Sequence, residues 1–331
     1  MKFRTLGNTG ARVSALGLGC SSLSDAYGKR DTDEAIAIAT LRRALELGIN
    51  LLDTADFYGL GHNEELIGRT IQDVPRDQVF ISLKFGGLRN HDGRFIGADN
   101  RPASIRNFLS YSLRRLRVDF IDLYFPARFD PSVPLEDTMG TLGELIQEGV
   151  IRSTGLSEVG PDTLRRAAKV CPLAMLQTEY SLWTRDPETD VLPVCRELGI
   201  ALVAYAPLGG GFLTGAIKTP DDFAPNDFRR NWPRFQGENF ARNLQLVERV
   251  KEIASEKGCT PAQLALAWLL AQGEDIVPIP GTKRIARLEE NLGALDVQLS
   301  VADLQRINEV APLGVAAGTR YPEAMMNLLN R

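Results

Sequence analysis

Histidine is almost missing from this 331-residue chain, which holds only His62 and His91. The four cysteines, Cys20, Cys171, Cys195 and Cys259, are dispersed, and no two stand in a C-x-x-C pair. Too few soft ligands remain for His- or Cys-built zinc and iron sites, so no metal is expected. The isolated thiols read as reduced, core-filling residues of a cytoplasmic protein. No stretch approaches the ~20 apolar residues of a membrane span. The amino-terminal Met1-Lys2-Phe3-Arg4-Thr5-Leu6-Gly7 lacks an apolar run leading to a cleavage site. An excess of one charge is also lacking, with 38 Lys and Arg against 42 Asp and Glu, a net charge of −4. Nucleic acid and anionic membranes are therefore not expected partners, and phosphate can be held only by a local basic site. Nor does any linker, charge block or sequence repeat divide the chain, so residues 1–331 are expected to form one domain.

What the chain does hold is ample apolar material, 44% against 24% charged, enough for a large core. Residues 3–7 and 12–16 flank the polar turn Asn8-Thr9-Gly10 and predict a hairpin ahead of the main fold. Eight apolar runs then predict strands over Val13–Gly19, Leu51–Thr54, Val79–Phe85, Phe120–Phe125, Ser153–Ser157, Ala174–Thr178, Ala201–Tyr205 and Ile276–Pro280. Helical periodicity falls between and after them, over 33–47, 63–72, 102–116, 136–148, 161–169, 188–198, 240–257 with 261–272, and 284–294. Asp31 or Thr32 is the expected cap of the first helix. Eight strand-then-helix units predict an α/β fold, a closed (β/α)8 TIM barrel with an N-terminal hairpin, a long loop after strand seven and a C-terminal tail. The loop, Pro207–Glu238, and the tail after about Ala311 are too long for plain connectors and read as functional segments.

Gly209-Gly210-Gly211-Phe212-Leu213-Thr214-Gly215 follows a strand and imitates a dinucleotide-fold fingerprint, but its spacing is one residue too long. No second strand ending in an acid follows, so the glycines either ease a tight turn or let backbone approach a phosphate. A sharper constellation starts at the end of strand two, in Asp53-Thr54-Ala55-Asp56-Phe57-Tyr58, and continues with Lys84 in strand three. Barrel chemistry gathers at such C-terminal strand ends. Asp53 and Lys84 interrupt apolar runs and are expected to pair, because a lone buried charge is costly. The Lys84 ammonium beside Tyr58 would pull the phenol below its usual pKa of about 10 and suit it to general acid work. Taken alone, these residues read equally well as a structural ion pair with an unrelated tyrosine.

Taken in order with Gly155-Leu156-Ser157, Gln177, Tyr205-Ala206-Pro207-Leu208 and the run Ile279 to Asn291, they make essentially the whole chain resemble the aldo-keto reductases. The resemblance implies a (β/α)8 barrel enzyme that reversibly reduces an aldehyde or ketone with NADPH. Asp53, Tyr58 and Lys84 match three of the family's four catalytic residues. Ser157 and Gln177 match carboxamide partners, Tyr205 the ring that stacks on nicotinamide, and Pro207, Leu208, Gly209, Gly211 and Leu213 the stretch along the pyrophosphate. Gly281, Thr282, Lys283 and Arg287 match further cofactor contacts, with Glu290 and Asn291 on the adenine side. Lys283, Arg284 and Arg287 also stand at a helix start, the wrong end to satisfy its dipole but a suitable clamp for phosphate. Charge-assisted bonds worth on the order of 1.5–3 kcal/mol each favour NADPH over NADH.

One departure concerns histidine again. The family's fourth catalytic residue is the histidine of a Tyr-Tyr-x-His-Arg-x-Asp-Pro pattern, and here Tyr124-Phe125-Pro126-Ala127-Arg128-Phe129-Asp130-Pro131 puts Ala127 in its place. Neither His62 nor His91 corresponds by sequence, and an ordinary loop role is expected for His62. Losing one such donor can cost ~10²–10³ in rate, while the vacated volume suits a bulkier or differently oriented ketone. Trp232 and Tyr321 are expected to line the substrate pocket beside Ala127, with Phe212, Phe228 and Phe235 of the long loop as further cover. For the tail, core packing or an oligomer contact fits equally well. Glu158, where many relatives carry asparagine, has no assigned role. The rival reading is a low-turnover nucleotide-sensing interaction protein on the same fold.

Overall fold

The computed structural model describes residues 1–24, 27, 33–326 and 329. The chain opens with the expected hairpin, β1 (Phe3–Thr5) antiparallel to β2 (Arg12–Ser14), turned by Gly7–Thr9 and by Gly10 at a φ of 73°. The predicted first barrel strand is corrected here. Val13 and Ser14 belong to the hairpin, and only β3 (Leu18–Gly19) joins the barrel. The chain changes direction between them, where Ala15 N donates to Lys2 O and Ser14 Oγ to Leu16 O.

The repeat then runs through α1 (Glu34–Glu46), β4 (Leu51–Ala55), α2 (His62–Thr70) and β5 (Phe80–Phe85). Two short strands that the sequence did not suggest follow, β6 (Gly87–Arg89) and β7 (Phe95–Ala98), ahead of α3 (Pro102–Leu116). The remaining units are β8 (Ile121–Pro126), α4 (Leu135–Gln147), β9 (Ile151–Ser157), α5 (Pro161–Val170), β10 (Leu173–Glu179), α6 (Leu192–Leu198) and β11 (Ala201–Tyr205). After the long loop come α7 (Gly237–Glu256), α8 (Pro261–Leu270), β12 (Ile276–Pro278), α9 (Ile285–Leu292), α10 (Val301–Val310) and α11 (Glu323–Met326). The residues expected to cap α1, Asp31 and Thr32, lie outside the described residues; Asp33 caps it, its Oδ1 accepting from Ala35 N at 2.8 Å.

Strands β3, β4, β5, β8, β9, β10, β11 and β12 pair in that order, all parallel. The ring closes between its ends, where Gly17 N donates to Pro278 O at 3.0 Å and Gly19 N to Pro280 O at 3.2 Å. Glycine is required along this seam. A Cβ at Gly17 would stand 2.7 Å from the Leu51 side chain, and one at Gly19 2.8 Å from Ile279 O.

The barrel interior is apolar at the N-terminal end of the strands, where Leu6 and Val13 of the hairpin pack against Leu51, Phe80, Leu123, Met175, Val203 and Val277. Arg4 fastens this plug through the carbonyls of Ile276 and Leu270. A second apolar layer lies between strands and helices. With one mouth filled by the hairpin, polar side chains inside the barrel gather at the C-terminal ends of the strands. No described helix is long and apolar enough to cross a membrane.

Candidate active site

Asp53 and Lys84 are buried on neighbouring strands, offset by two residues in the β4–β5 register. The Lys84 ammonium donates to Asp53 Oδ1 at 2.5 Å, so the expected pair is formed. The other carboxylate oxygen, Asp53 Oδ2, accepts from Ser82 Oγ at 2.9 Å and from Gln177 Nε2 at 2.7 Å. Ser82 was missed by sequence reasoning although it shares the face of Lys84 two positions away on β5, a relation that strand periodicity could have exposed. Gln177, expected to contact a carboxamide, spends its amide donor on Asp53 in this structure.

Tyr58 enters from the turn after β4, where Gly59 and Leu60 take φ values of 58° and 55°. This tight reversal sets Tyr58 over the strand end, with the Lys84 ammonium 5.3 Å from its ring centroid. The expected fall in the phenol pKa is corrected. Burial pushes Tyr58 above its ordinary value, and the pull of Lys84 opposes but does not overcome that cost. For Lys84 the balance differs: burial works against the ammonium, yet Asp53 and Tyr58 outweigh it and hold the amine above its usual range. The arrangement thus keeps a protonated phenol beside a protonated amine, a poised acid with a fixed positive neighbour.

Asp56, between these residues in sequence, is a further titratable group that the sequence reading left without a role. Its Oδ2 accepts from Gly86 N at 3.2 Å, while its buried Oδ1 has no partner among the described residues. Burial, reinforced by Glu64, pushes this carboxyl up to about 7.

Ala127 sits one residue beyond β8, almost fully buried, its amide donating to Phe85 O at 2.9 Å. His62 does not replace the missing imidazole, because its ring nitrogens meet Ser24 Oγ at 2.8 Å and Glu34 Oε1 at 2.9 Å. The next residue, Arg128, is half-buried and donates through Nη1 to Ala127 O at 2.7 Å and to Ser157 Oγ at 3.4 Å.

The tail folds back over this mouth. Arg320 Nη1 donates to both oxygens of Glu158, at 2.9 and 3.0 Å, and its Nε lies 3.6 Å from Glu179 Oε2. Glu158 also accepts from Thr178 Oγ1 and Glu179 N, and it holds a positive φ of 54°, uncommon outside glycine. Its role is therefore to anchor the tail. Arg234 of the long loop adds a bond to Thr184 and an ion pair with Glu179. Next to Arg320, the Tyr321 hydroxyl meets that of Tyr205 at 2.9 Å, and the Trp232 ring stands edge-on to Tyr321 at 5.5 Å. Tyr205, Trp232 and Tyr321 are thus brought together at this mouth.

Other loop residues fall elsewhere. Phe212 and Phe235 are buried in a cluster with Trp183 rather than available as cover, and Leu213 is fully buried beside them. Phe228 remains exposed. Gly209 has a structural reason to be glycine, since a Cβ there would stand 2.5 Å from the Trp183 ring. Past β12, Gly281 bridges to Gly19, while Thr282 Oγ1 accepts from Arg284 N at 3.1 Å. Lys283 is half-buried, Arg284 exposed, and Arg287 donates to Glu290 at 2.7 Å. Asn291 is buried on α9.

Comparison with known proteins agrees with this geometry. The model of the aldo/keto reductase family matches residues 15–312. An aldo-keto reductase of Schizosaccharomyces pombe, named as NADP(+)-dependent, is 46% identical over 96% of this chain and 94% of its own. A probable aldo-keto reductase of Glycine max is 44% identical over 96% of this chain and 90% of its own. Among solved structures, a glycerol dehydrogenase of Gluconobacter oxydans superposes with a TM-score of 0.86 at 28% identity, covering 96% of this chain and 97% of that one. A holo aldo-keto reductase of Bacillus halodurans gives 0.77 at 28% identity, covering 96% and 98%. A parallel barrel carrying a buried Asp-Lys pair below a turn tyrosine, matched over nearly its full length by these relatives, belongs to the aldo/keto reductase family.

Proposed function

We propose that this chain reduces an aldehyde or ketone to the alcohol with NADPH, reversibly, and that Asp53, Tyr58 and Lys84 do the proton work. The observation that carries the reading is the ordered chain from Ser82 and Gln177 through Asp53 to Lys84 and Tyr58. A buried ammonium held so firmly is preorganised to stabilise negative charge on the phenol as its proton leaves.

The residues present fit the cofactor. Lys283 and Arg284 lie on the loop that opens α9, a helix N-terminus whose first amides have no intrahelical acceptor. Gly210 and Gly211 turn the chain after β11 at φ values of 66° and 94°, and Gly211 is partly exposed. Thr282 and the pair of Arg287 with Glu290 flank the same loop, and Asn291 follows on α9. We assign the phosphate end to Gly281–Arg287 and Gly209–Leu213, the adenine side to Glu290 and Asn291, and the nicotinamide side to Ser157, Gln177 and Tyr205. When bound, NADPH supplies the hydride to the carbonyl carbon. Tyr58 gives its hydroxyl proton to the carbonyl oxygen, so the alcohol gains one hydride and one proton. Lys84 offsets the charge left on the phenol, and Asp53 fixes Lys84.

Ala127 adapts this site to a bulkier or differently oriented ketone. Its methyl leaves the volume an imidazole would fill, and Trp232 and Tyr321 supply an aromatic wall. A panel of small aldehydes and bulky ketones, followed by NADPH absorbance, tests both statements. Ala127→His is expected to shift selectivity toward small aldehydes, and unchanged rates and selectivity would overturn the assignment. Tight NADPH binding without reduction of any carbonyl would favour a nucleotide sensor instead.

A further inference from the structure

Among the described residues, most buried or half-buried cations at the C-terminal mouth of the barrel stand against a carboxylate. Lys84 is matched by Asp53, Arg320 by Glu158, Arg234 by Glu179, Arg229 by Asp227 and Arg185 by Glu188. Arg128 makes no ion pair among the described residues, although the Glu158 carboxylate lies near enough to favour its charge. Its Nη1 is taken by Ala127 O and Ser157 Oγ, but Nε and Nη2 have no acceptor there and are not sealed from solvent. A half-buried guanidinium with two donors still open to solvent can take up an anion on its free edge.

We infer that Arg128 is the recognition group for a carboxylate carried by the substrate, and that the preferred carbonyl compounds are oxo acids. The inference rests on the reductase reading and names its substrate class. The position fits. Arg128 follows Ala127 at the end of β8, on the strand beside Lys84, and its hydrogen bond to Ser157 places it over the end of β9. It lies within electrostatic reach of Tyr205, Tyr321, Glu158 and Tyr58, and so near the tyrosine that meets the reacting oxygen. A planar fork with one edge fixed by protein carbonyl and hydroxyl groups leaves the other edge for two parallel bonds to a carboxylate. A reacting carbonyl would neutralise Arg128 only as charge develops on its oxygen. A carboxylate does so throughout binding.

The test compares 2-oxo, 3-oxo and 4-oxo carboxylates with their methyl esters, using full-length protein and NADPH. The readout is the ratio of kcat/KM for acid to ester in the wild type, Arg128→Lys and Arg128→Met. The wild type is expected to favour one acid at least ~10-fold, with Met abolishing the preference and Lys retaining part of it. An acid-to-ester ratio near one in the wild type, or one unchanged in Arg128→Met, overturns the inference, including when Met slows acid and ester alike. Calorimetric titration with butanoate against butanamide gives a second readout, independent of turnover and expected to show butanoate binding only with Arg128 intact. If no carbonyl is reduced yet butanoate binds through Arg128, the reductase reading fails and the anion site stands. If carbonyls are reduced without charge discrimination, the reverse holds.

Discussion

At the scale of single residues, the buried pair was legible because Asp53 and Lys84 break otherwise apolar strands, and only mutual compensation makes that tolerable. The sign of the Tyr58 shift was not legible. It depends on how far burial outweighs a neighbouring charge, and local sequence does not record solvent exclusion. Tyr58→Phe removes the proton donor while keeping the ring, and is expected to cut single-turnover reduction by ~10²–10⁴ with the NADPH dissociation constant nearly unchanged. Stopped-flow absorbance and fluorescence titration separate the two effects, and undiminished chemistry would remove Tyr58 from its role.

Asp56 makes a second residue-scale expectation. Its folded carboxyl, pushed up to about 7 by burial and Glu64, lies above the ~3.9 of an unfolded chain. Between those values the folded protein keeps a proton that the unfolded chain releases. This contribution to stability is full at low pH and is lost as pH rises toward and through about 7. Asp56→Asn should therefore gain stability relative to the wild type between pH 5 and 8, on the order of 2 kcal/mol. Urea unfolding at each pH checks this, and parallel pH profiles for the two proteins would contradict it.

At the scale of elements, β4, β5, β8, β9, β10 and β11 were legible because strands buried on both faces write themselves as short continuous apolar runs. The β6–β7 hairpin and helices α10 and α11 were not. The β6–β7 hairpin is short and half-exposed, so it lacks that signal. Helix α10 does have a local signature, the reciprocal bonds of Ser300 and Asp303 at its start, but Asp in place of the usual Glu or Gln made the capping box easy to overlook. The expected first barrel strand was too long because an apolar run does not reveal which of two sheets each half joins. The tail's anchoring on Glu158 and Glu179 was invisible for a different reason, since Arg320 is more than 140 residues from either in sequence. Arg320→Met removes the buried Arg320–Glu158 ion pair and is expected to cost about 3–5 kcal/mol, with earlier proteolysis of the tail. Denaturant midpoints and limited proteolysis measure this, and a midpoint equal to that of the wild type would mean that the tail is held by its aromatic contacts alone.

At the scale of the whole molecule, the barrel divides its labour between its ends. The hairpin seals the N-terminal mouth with apolar side chains, while titratable groups collect at the other. Leu6 belongs to the sealing end and is fully buried. Leu6→Ala is accordingly expected to cost about 2–5 kcal/mol of stability while kcat/KM stays within twofold at temperatures where the variant is folded. Thermal unfolding and steady-state rates provide the comparison. A large fall in kcat/KM in the folded variant would show that the two ends are coupled.

The line of closure between Gly17–Gly19 and Pro278–Gly281 has a consequence for how the ring holds together. Its neighbours elsewhere share longer ladders, whereas here a two-residue strand meets the chain that leads directly into Thr282 and Lys283. A nucleotide seated on that chain would clasp the two ends of the ring like a buckle on a belt. Amide hydrogens of Gly17 and Gly19 should then exchange with solvent sooner than those within β8 and β9, and NADPH should slow them more than any others in the barrel wall. On this view the coenzyme is also a fastener, and the enzyme's resistance to unravelling would follow the cell's supply of reduced nucleotide.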